Sequence, residues 1–186
     1  MGQLTNPGKV FEHSIKDSAE KQNVFFFRVR DIFVPPEYRD KIRVLPNKYD
    51  NLIFSQGILI PMELKSTRSR SVSFKEKILK QKQIDSLKEA ASYEGVIPGF
   101  LLNFRSYQKT FYVHINDFIE YKAIAEGGTP TRTYQAKVNK ASISMDIAAE
   151  IGIEVDSHLL RTHYRYDIAK LVSDIKEKYY NENKSN

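Results

Sequence analysis

The chain has no cysteine among its 186 residues. That excludes disulfides, thiolate zinc sites and cysteine nucleophiles, and it suits a reducing compartment. Any metal must then be held by oxygen or imidazole ligands. Met1 to Lys9 lacks the apolar core of a secretory signal, and no apolar run approaches membrane-spanning length. The expectation is a cytoplasmic protein with no membrane partner. His13, His114, His158 and His163 show no paired metal-ligand spacing, and Gly127-Gly128 lacks the strand-to-helix setting of a nucleotide-binding loop. No small-molecule cofactor is therefore expected. There is no internal repeat and no boundary that splits the chain, so one domain over 1–186 is expected, with a core at about 8–125 and a helical C-terminal extension at about 126–186.

What is present is ordinary in bulk and uneven in detail. Hydrophobic residues make up 41% and charged residues 28%, normal for a soluble globular protein, and the formal net charge is +6. Such an excess favours polyanionic partners without requiring one. Its distribution says more. Lys65, Arg68, Arg70, Lys75, Lys77, Lys80 and Lys82 face a single acid, Glu76, with Ser66, Thr67, Ser69, Ser71 and Ser73 among them. Cations and hydroxyls are the usual donors to phosphate oxygens, although the same run could be a solvated loop and helix face.

Periodicity predicts a mixed α/β order. A helix runs from Lys9 to about Gln22 after the Asn6-Pro7-Gly8 turn, followed by a strand from Val24 to Arg30. Pro35-Pro36 breaks regular structure, and Glu37 to Asn47 is a polar connection. A hairpin then pairs Tyr49–Phe54 with Ile58–Lys65 across Ser55-Gln56-Gly57, bulged or unpaired at Pro61, which lacks a ladder donor. A long helix is expected from about Phe74 to Tyr93, then strands over Val96–Phe104 and Thr110–Ile115. Asn116 is expected to cap a short helix, Ser142–Ile151 to be helical up to Gly152, and Asp167–Tyr180 to form the last helix.

The chemistry lies on the hairpin. Alternation along a strand projects Glu63 and Lys65 to one side, and Asp50 opens the preceding strand, so two carboxylates and an ammonium converge. Charged groups beside a core sheet are expensive unless paired or bound to metal. Two carboxylates at an open position suit Mg²⁺ or Mn²⁺, which can polarise a phosphoryl oxygen and lower the pKa of a bound water. Lys65 would orient that water and offset developing charge. The alternative is a surface ion pair at a strand end. Arg28 and Arg30, on one strand face, could reach DNA, and Arg161-Thr162-His163-Tyr164-Arg165-Tyr166 could grip a backbone or simply pack its tyrosines.

The helix-strand-strand-strand-helix-strand order, with Asp50 on the second strand and Glu63-Leu64-Lys65 on the third, resembles the PD-(D/E)XK nuclease superfamily with its restriction-endonuclease-like core. Within it the chain is most similar to RecU-type Holliday junction resolvases and their phage-encoded relatives. The matching pieces are Gly8-Lys9-Val10-Phe11-Glu12, Tyr49-Asp50, Glu63-Leu64-Lys65-Ser66-Thr67, Ser73-Phe74 and Gln83-Ile84-Asp85-Ser86-Leu87. The resemblance covers roughly Gly8 to Phe118. It implies a homodimeric endonuclease acting on four-way DNA junctions with Mg²⁺ or Mn²⁺ in each subunit, in the cytoplasm of a bacterial host if phage-encoded. It also implies that Asp50, Glu63 and the Leu64 carbonyl ligate the metal and that Lys65 is the catalytic lysine. Glu12 would orient the metal through water, and Gln83 would support Lys65 or the water. DNA contacts would come from Arg28, Arg30, Ser66, Thr67, Arg68, Arg70, Lys75, Lys77, Lys80 and Lys82. RecU proteins carry a protruding stalk between the early strands; here Phe33 to Lys48 is short and contains Pro35, Pro36 and Pro46. Two other readings stay open: a nuclease of this superfamily for flaps, ends or duplex, and a non-catalytic DNA-binding module.

Overall fold

The structure is a computed structural model that describes residues 6–30, 33–38, 40–42, 44 and 47–181. Pro46, residues 1–5 and the tail from 182 lie outside the described residues. The fold is mixed α/β. The elements are α1 (Pro7–Lys21), β1 (Phe25–Arg28), β2 (Asn51–Ser55), β3 (Ile58–Thr67), β4 (Ser71–Ser73), α2 (Gln81–Ala90), β5 (Gly99–Phe104), β6 (Lys109–His114), α3 (Ile115–Ala125), β7 (Ser142–Ser144), α4 (Met145–Ile151), β8 (Ile153–Glu154), β9 (Ser157–Leu159), β10 (Tyr164–Tyr166) and α5 (Ile168–Lys176). No helix among the described residues is long and apolar enough to cross a membrane.

Six strands form the central sheet in the order β1-β2-β3-β5-β6-β8. β3 and β5 are parallel and every other neighbouring pair is antiparallel. A parallel pair needs a crossover, and β4 with α2 supplies it. One face of the sheet, with Ile53, Ile60, Met62, Leu101 and Tyr112, packs under α1 and α5. The other, with Phe100, Leu102, Phe111 and Val113, packs under α2, α3 and α4. The segment after 126 carries α4 and α5 together with four short strands that periodicity does not reveal; β8 extends the central sheet and α5 packs into its core.

Local chemistry explains most element ends. Asn6 caps α1, accepting from the Gly8 N–H at 2.9 Å, and Pro7 opens the helix two residues before the expected start. The β2–β3 hairpin turns on Gln56 and Gly57, with φ of +53° and +79°, the two left-handed residues of a type I′ turn. Pro61 makes no bulge. It pairs in register with Leu52, and the alternation that turns the Leu59 N–H and C=O towards 95–97 turns the missing Pro61 donor the same way, before the β3–β5 ladder begins at Met62–Gly99.

Four expectations need correction. The long helix over 74–93 is only α2, because the backbone of 71–73 pairs with 142–144 and the Phe74 N–H donates to the Ala141 carbonyl. Residues 75–79 form a turn that buries Leu79 and leaves Ile78 exposed. Asn116 does not cap α3. Its N–H instead donates to His114 Nδ1 at 3.3 Å, and burial pushes His114 down to about 4, keeping that nitrogen an acceptor. Ser142–Ser144 is strand, and the helix starts only at Met145, where Ser144 Oγ accepts from the Ile147 N–H at 3.2 Å. Finally, β1 stops at Arg28, so Arg30 shares no strand face with it.

Gly99 opens β5 where a Cβ would lie 2.5 Å from the Val113 carbonyl oxygen and 2.7 Å from the Tyr112 ring. Tyr112 cannot retreat, since it is fully buried and donates its hydroxyl to the Ile97 carbonyl at 2.9 Å. Gly99→Ala is therefore expected to cost roughly 1–3 kcal/mol through overpacking, read as a lower urea midpoint.

Candidate active site

Glu63 and Lys65 project from β3 towards α2, as alternation requires, beside Phe100 and Leu102 of β5. Glu63 is 1% exposed. Lys65 Nζ lies 3.5 Å from Glu63 Oε2 and donates to Gln83 Oε1 at 3.0 Å. Gln83 Nε2 donates to the same Glu63 oxygen. The Gln83 side chain also accepts from the Lys80 N–H at 3.4 Å, the return half of a capping box. The first turn of α2 thus holds an amide that bridges the acid and the ammonium.

Asp50 sits one residue before β2 rather than on it, and it is exposed. Three contacts fix its backbone. Its carbonyl accepts from the Val29 N–H at 2.9 Å, Lys48 pairs with Glu89 at 2.9 Å, and the Tyr49 hydroxyl donates to the Ser86 carbonyl at 3.4 Å. The Asp50 carboxyl lies close enough to Glu63 to act on its titration. Burial first, and then the neighbouring Asp50 carboxyl, push the Glu63 carboxyl up to about 8, against the opposing pull of Lys65. Two neighbouring carboxyl groups, one of them buried, favour sharing a proton or a cation.

Backbone direction adds a third oxygen. Leu59 turns its polar groups towards 95–97, so alternation turns those of Leu64 towards β2. The β2–β3 ladder ends at Asn51–Met62, leaving the Leu64 carbonyl past the end of β2, on the Asp50 side. Its side chain packs into the core under α1.

Glu12 reaches the same region from α1. It is paired with Arg28, and burial raises its carboxyl, opposed by Arg28 and reinforced by Asp50. Among the described residues no three acid or imidazole side chains converge into a closed metal cage. Two carboxylates, a carbonyl and open space nonetheless suit a hard divalent cation that keeps several waters.

The basic surface is less uniform than its sequence. Arg68, Lys75, Lys77, Lys80 and Lys82 are exposed. Arg70 is held by Asp146, with contacts of 3.2 and 2.7 Å, and lies over the Tyr107 ring. Ser66 donates to Asn103 at 2.8 Å, and Thr67 accepts from the Ser69 N–H at 3.0 Å. Arg28 is engaged by Glu12, and Arg30 is exposed beyond the strand. Tyr164 and Tyr166 pack against the core. Arg68→Ala should therefore lower the salt slope of DNA binding by about one unit, and Arg70→Ala by less, since Asp146 already neutralises Arg70. Fluorescence anisotropy across a salt series measures both.

Sequence reasoning missed Asn51, which is 1% exposed with its Oδ1 lacking a partner, and the pair Asn103–Thr110, joined at 2.9 Å. A polar residue interrupting an apolar strand was the available signal for each.

Comparison with known proteins bears on this geometry. A family model described as Recombination protein U, RecU, matches residues 47–159, a span that holds Asp50, Glu63, Lys65 and Gln83. The SPbeta prophage-derived uncharacterized protein YotM of Bacillus subtilis (strain 168) is 48% identical over 174 residues, covering 93% of this chain and 88% of that protein. Among solved structures, Hjc of Archaeoglobus fulgidus, a Holliday junction resolvase from an archaeal hyperthermophile, matches with a TM-score of 0.49 and 14% identity, over 79% of this chain and 95% of that one.

Proposed function

Because this chain belongs to the RecU family of Holliday junction resolvases, we propose that it hydrolyses phosphodiesters at four-way DNA junctions through Asp50, Glu63 and Lys65. The observation that carries the site is the buried Glu63, bonded to Lys65 and Gln83 on one side, with the Asp50 carboxyl near enough on the other to raise its titration. Asp50, Glu63 and the Leu64 carbonyl would hold one divalent cation, Mg²⁺ or Mn²⁺. When bound, such a cation supplies charge to the scissile phosphate and acidifies water at neutral pH.

The protein's own groups do the positioning. Lys65 keeps an ammonium where negative charge grows on the phosphate, and Gln83 holds it there. Gln83 keeps Glu63 aimed at the site through the first turn of α2. Glu12, drawn to Arg28 yet within reach of the Asp50 charge, orients water on the α1 side. Arg68, Lys75, Lys77, Lys80 and Lys82, with Arg28, Arg30, Arg70, Ser66 and Thr67 as secondary contacts, supply the phosphate surface. The working unit is a homodimer on DNA in a bacterial cytoplasm, and the prophage relative favours a phage origin.

Competition among a labelled four-way junction, a flap and a linear duplex of equal length tests this reading. The junction is expected to be cut at least about tenfold faster, a difference of about 1.4 kcal/mol. Equal rates would favour a nuclease for other DNA, and binding without cleavage in any divalent metal would favour a non-catalytic module.

A further inference from the structure

On the face of the sheet that lies under α1, the apolar rows end in polar residues. Leu64, Leu101 and Tyr112 pack in the core there, and the next residues on that face are Ser66, Asn103 and Thr110. Hydrogen bonds join these three across the strands. Ser66 donates to Asn103 Oδ1 at 2.8 Å, and Asn103 Nδ2 donates to Thr110 Oγ1 at 2.9 Å. Asn103 and Thr110 are buried. An amide carries two N–H groups and two oxygen lone pairs, so Asn103 still has one of each to offer.

Asn103 and Thr110 form the floor of a cavity of about 300 Å³ that is closed by α1 and the β9–β10 hairpin. Phe11, Tyr164 and Tyr166 give it ring walls, with Phe11 and Tyr166 edge to face at 5.6 Å between centroids. Register puts Ser157, Leu159, Tyr164 and Tyr166 on the hairpin face that lines the cavity, and His158 and Arg165 on the other. Val10 and Leu159, 40% and 62% exposed, stand at the rim. No carboxylate lines the cavity, whereas Arg105 and His163 do. Arg105 also donates to Ser66 at 3.5 Å.

We propose that this cavity takes one unpaired nucleobase of the DNA strand being cut, outside the nuclease centre itself. That the ligand is DNA rests on the nuclease reading. A base has two apolar faces and a hydrogen-bonding edge; the cavity has rings for the faces and the Asn103 amide for the edge. Arg105 is the cation for the phosphate that the base carries with it. The volume lies at the lower end of the roughly 300–1,000 Å³ of small-ligand sites, which suits a single planar group. An apolar side chain from a protein partner would instead bury Asn103 and Arg105 without satisfying them, which is costly.

Position agrees with chemistry. Lys65 faces the centre, and Ser66, about 3.8 Å further along the chain, faces the cavity side. Neighbouring strands are about 4.8 Å apart, so Asn103 and Thr110 lie roughly 5 and 10 Å across the sheet from β3. A DNA strand across this end of the sheet can keep a phosphate at Lys65 and turn a neighbouring base into the cavity. Turning a base out costs least where it is already unpaired, and a branch point supplies such bases.

The test uses the full chain in chelator, which separates binding from cutting. Two four-way junctions are compared, each with one extra nucleotide at the branch point, a normal one or an abasic one. The wild type is expected to bind the base-bearing junction about tenfold more tightly, the scale of one base stacked on a ring. Val10→Trp/Leu159→Trp, which fills the cavity from its rim, should bring that ratio within about twofold and leave the salt slope of binding unchanged. Val10→Trp alone serves if the double variant does not fold. In the wild type, 5-iododeoxyuridine at the unpaired position should photo-crosslink to Tyr164, Tyr166 or His163. Equal affinities for the two junctions, a folded filled variant that keeps the preference, or crosslinks confined to residues outside the cavity overturn the proposal while DNA binding stands. A wild type that binds neither junction overturns it together with the nuclease reading. Crosslinks in the cavity without cleavage in any divalent metal would uphold the cavity and remove the catalytic reading instead.

Discussion

Lys65→Ala is expected to slow single-turnover cleavage of a saturating four-way junction by about 10²–10³-fold, the usual loss when one donor to developing charge is removed. The reason is local. Lys65 is the cation that opposes the rise of the Glu63 carboxyl, and it is anchored by Gln83. Its removal takes away the ammonium and leaves Glu63 holding its proton more tightly, so the proposed metal ligand is weakened along with the proposed electrostatic stabiliser. Junction affinity should stay within a few-fold, because phosphate neutralisation is spread over the cations of 68–82. Single-turnover rates with affinity measured in parallel check this. A folded Lys65→Ala protein that cuts within threefold of wild type would remove Lys65 from the chemistry.

The second large effect concerns stability and metal together. The Glu63 carboxyl is pushed up to about 8 in the fold, against an ordinary value of 4.5. Between those pH values the folded protein keeps a proton that the unfolded chain has released. Metal-free stability should therefore fall as pH rises from about 5 to 8, by an amount on the order of 3–5 kcal/mol if the whole shift is expressed. Glu63→Gln has no proton to lose. It should melt higher than wild type at pH 8 without metal, by roughly 5–10 °C, while losing cleavage. Adding Mn²⁺ or Mg²⁺ should stabilise the wild type more at pH 8 than at pH 6, since the cation must displace that proton, and should leave Glu63→Gln unmoved. Differential scanning calorimetry at both pH values, with and without chelator, reads all of this. Parallel pH profiles for the two proteins would show that Glu63 carries no buried proton.

Much of this site is legible in sequence because it rests on local rules. The period of two along Ile58–Lys65 places Glu63 and Lys65 on one face, and Gln56-Gly57 supplies the turn that brings Asp50 back beside them. What local rules do not carry is long-range pairing. Phe74–Tyr93 reads as one helix because its residues are good helix formers, yet β7, some seventy residues later, takes the backbone of 71–73 into a ladder. The same distance hides Asp146, which removes Arg70 from the simple basic surface. His114 outcompetes Asn116 as a cap because its ring is buried and neutral, a property set by tertiary packing against Tyr179. The strands after 126 are two or three residues long, too short for any period to register.

The most direct measurement of the centre replaces the cation by Fe²⁺ and maps where ascorbate and peroxide cut the polypeptide. Hydroxyl radicals act within a few ångströms of bound iron, so scission is expected at Asp50 and at Glu63–Leu64, competed by Mg²⁺ or Mn²⁺ and lost in Asp50→Asn. Scission centred elsewhere, for instance around the exposed acids Asp146 and Glu150, or scission unaffected by Asp50→Asn, would contradict the assignment of Asp50 and Glu63 as the metal ligands of this nuclease.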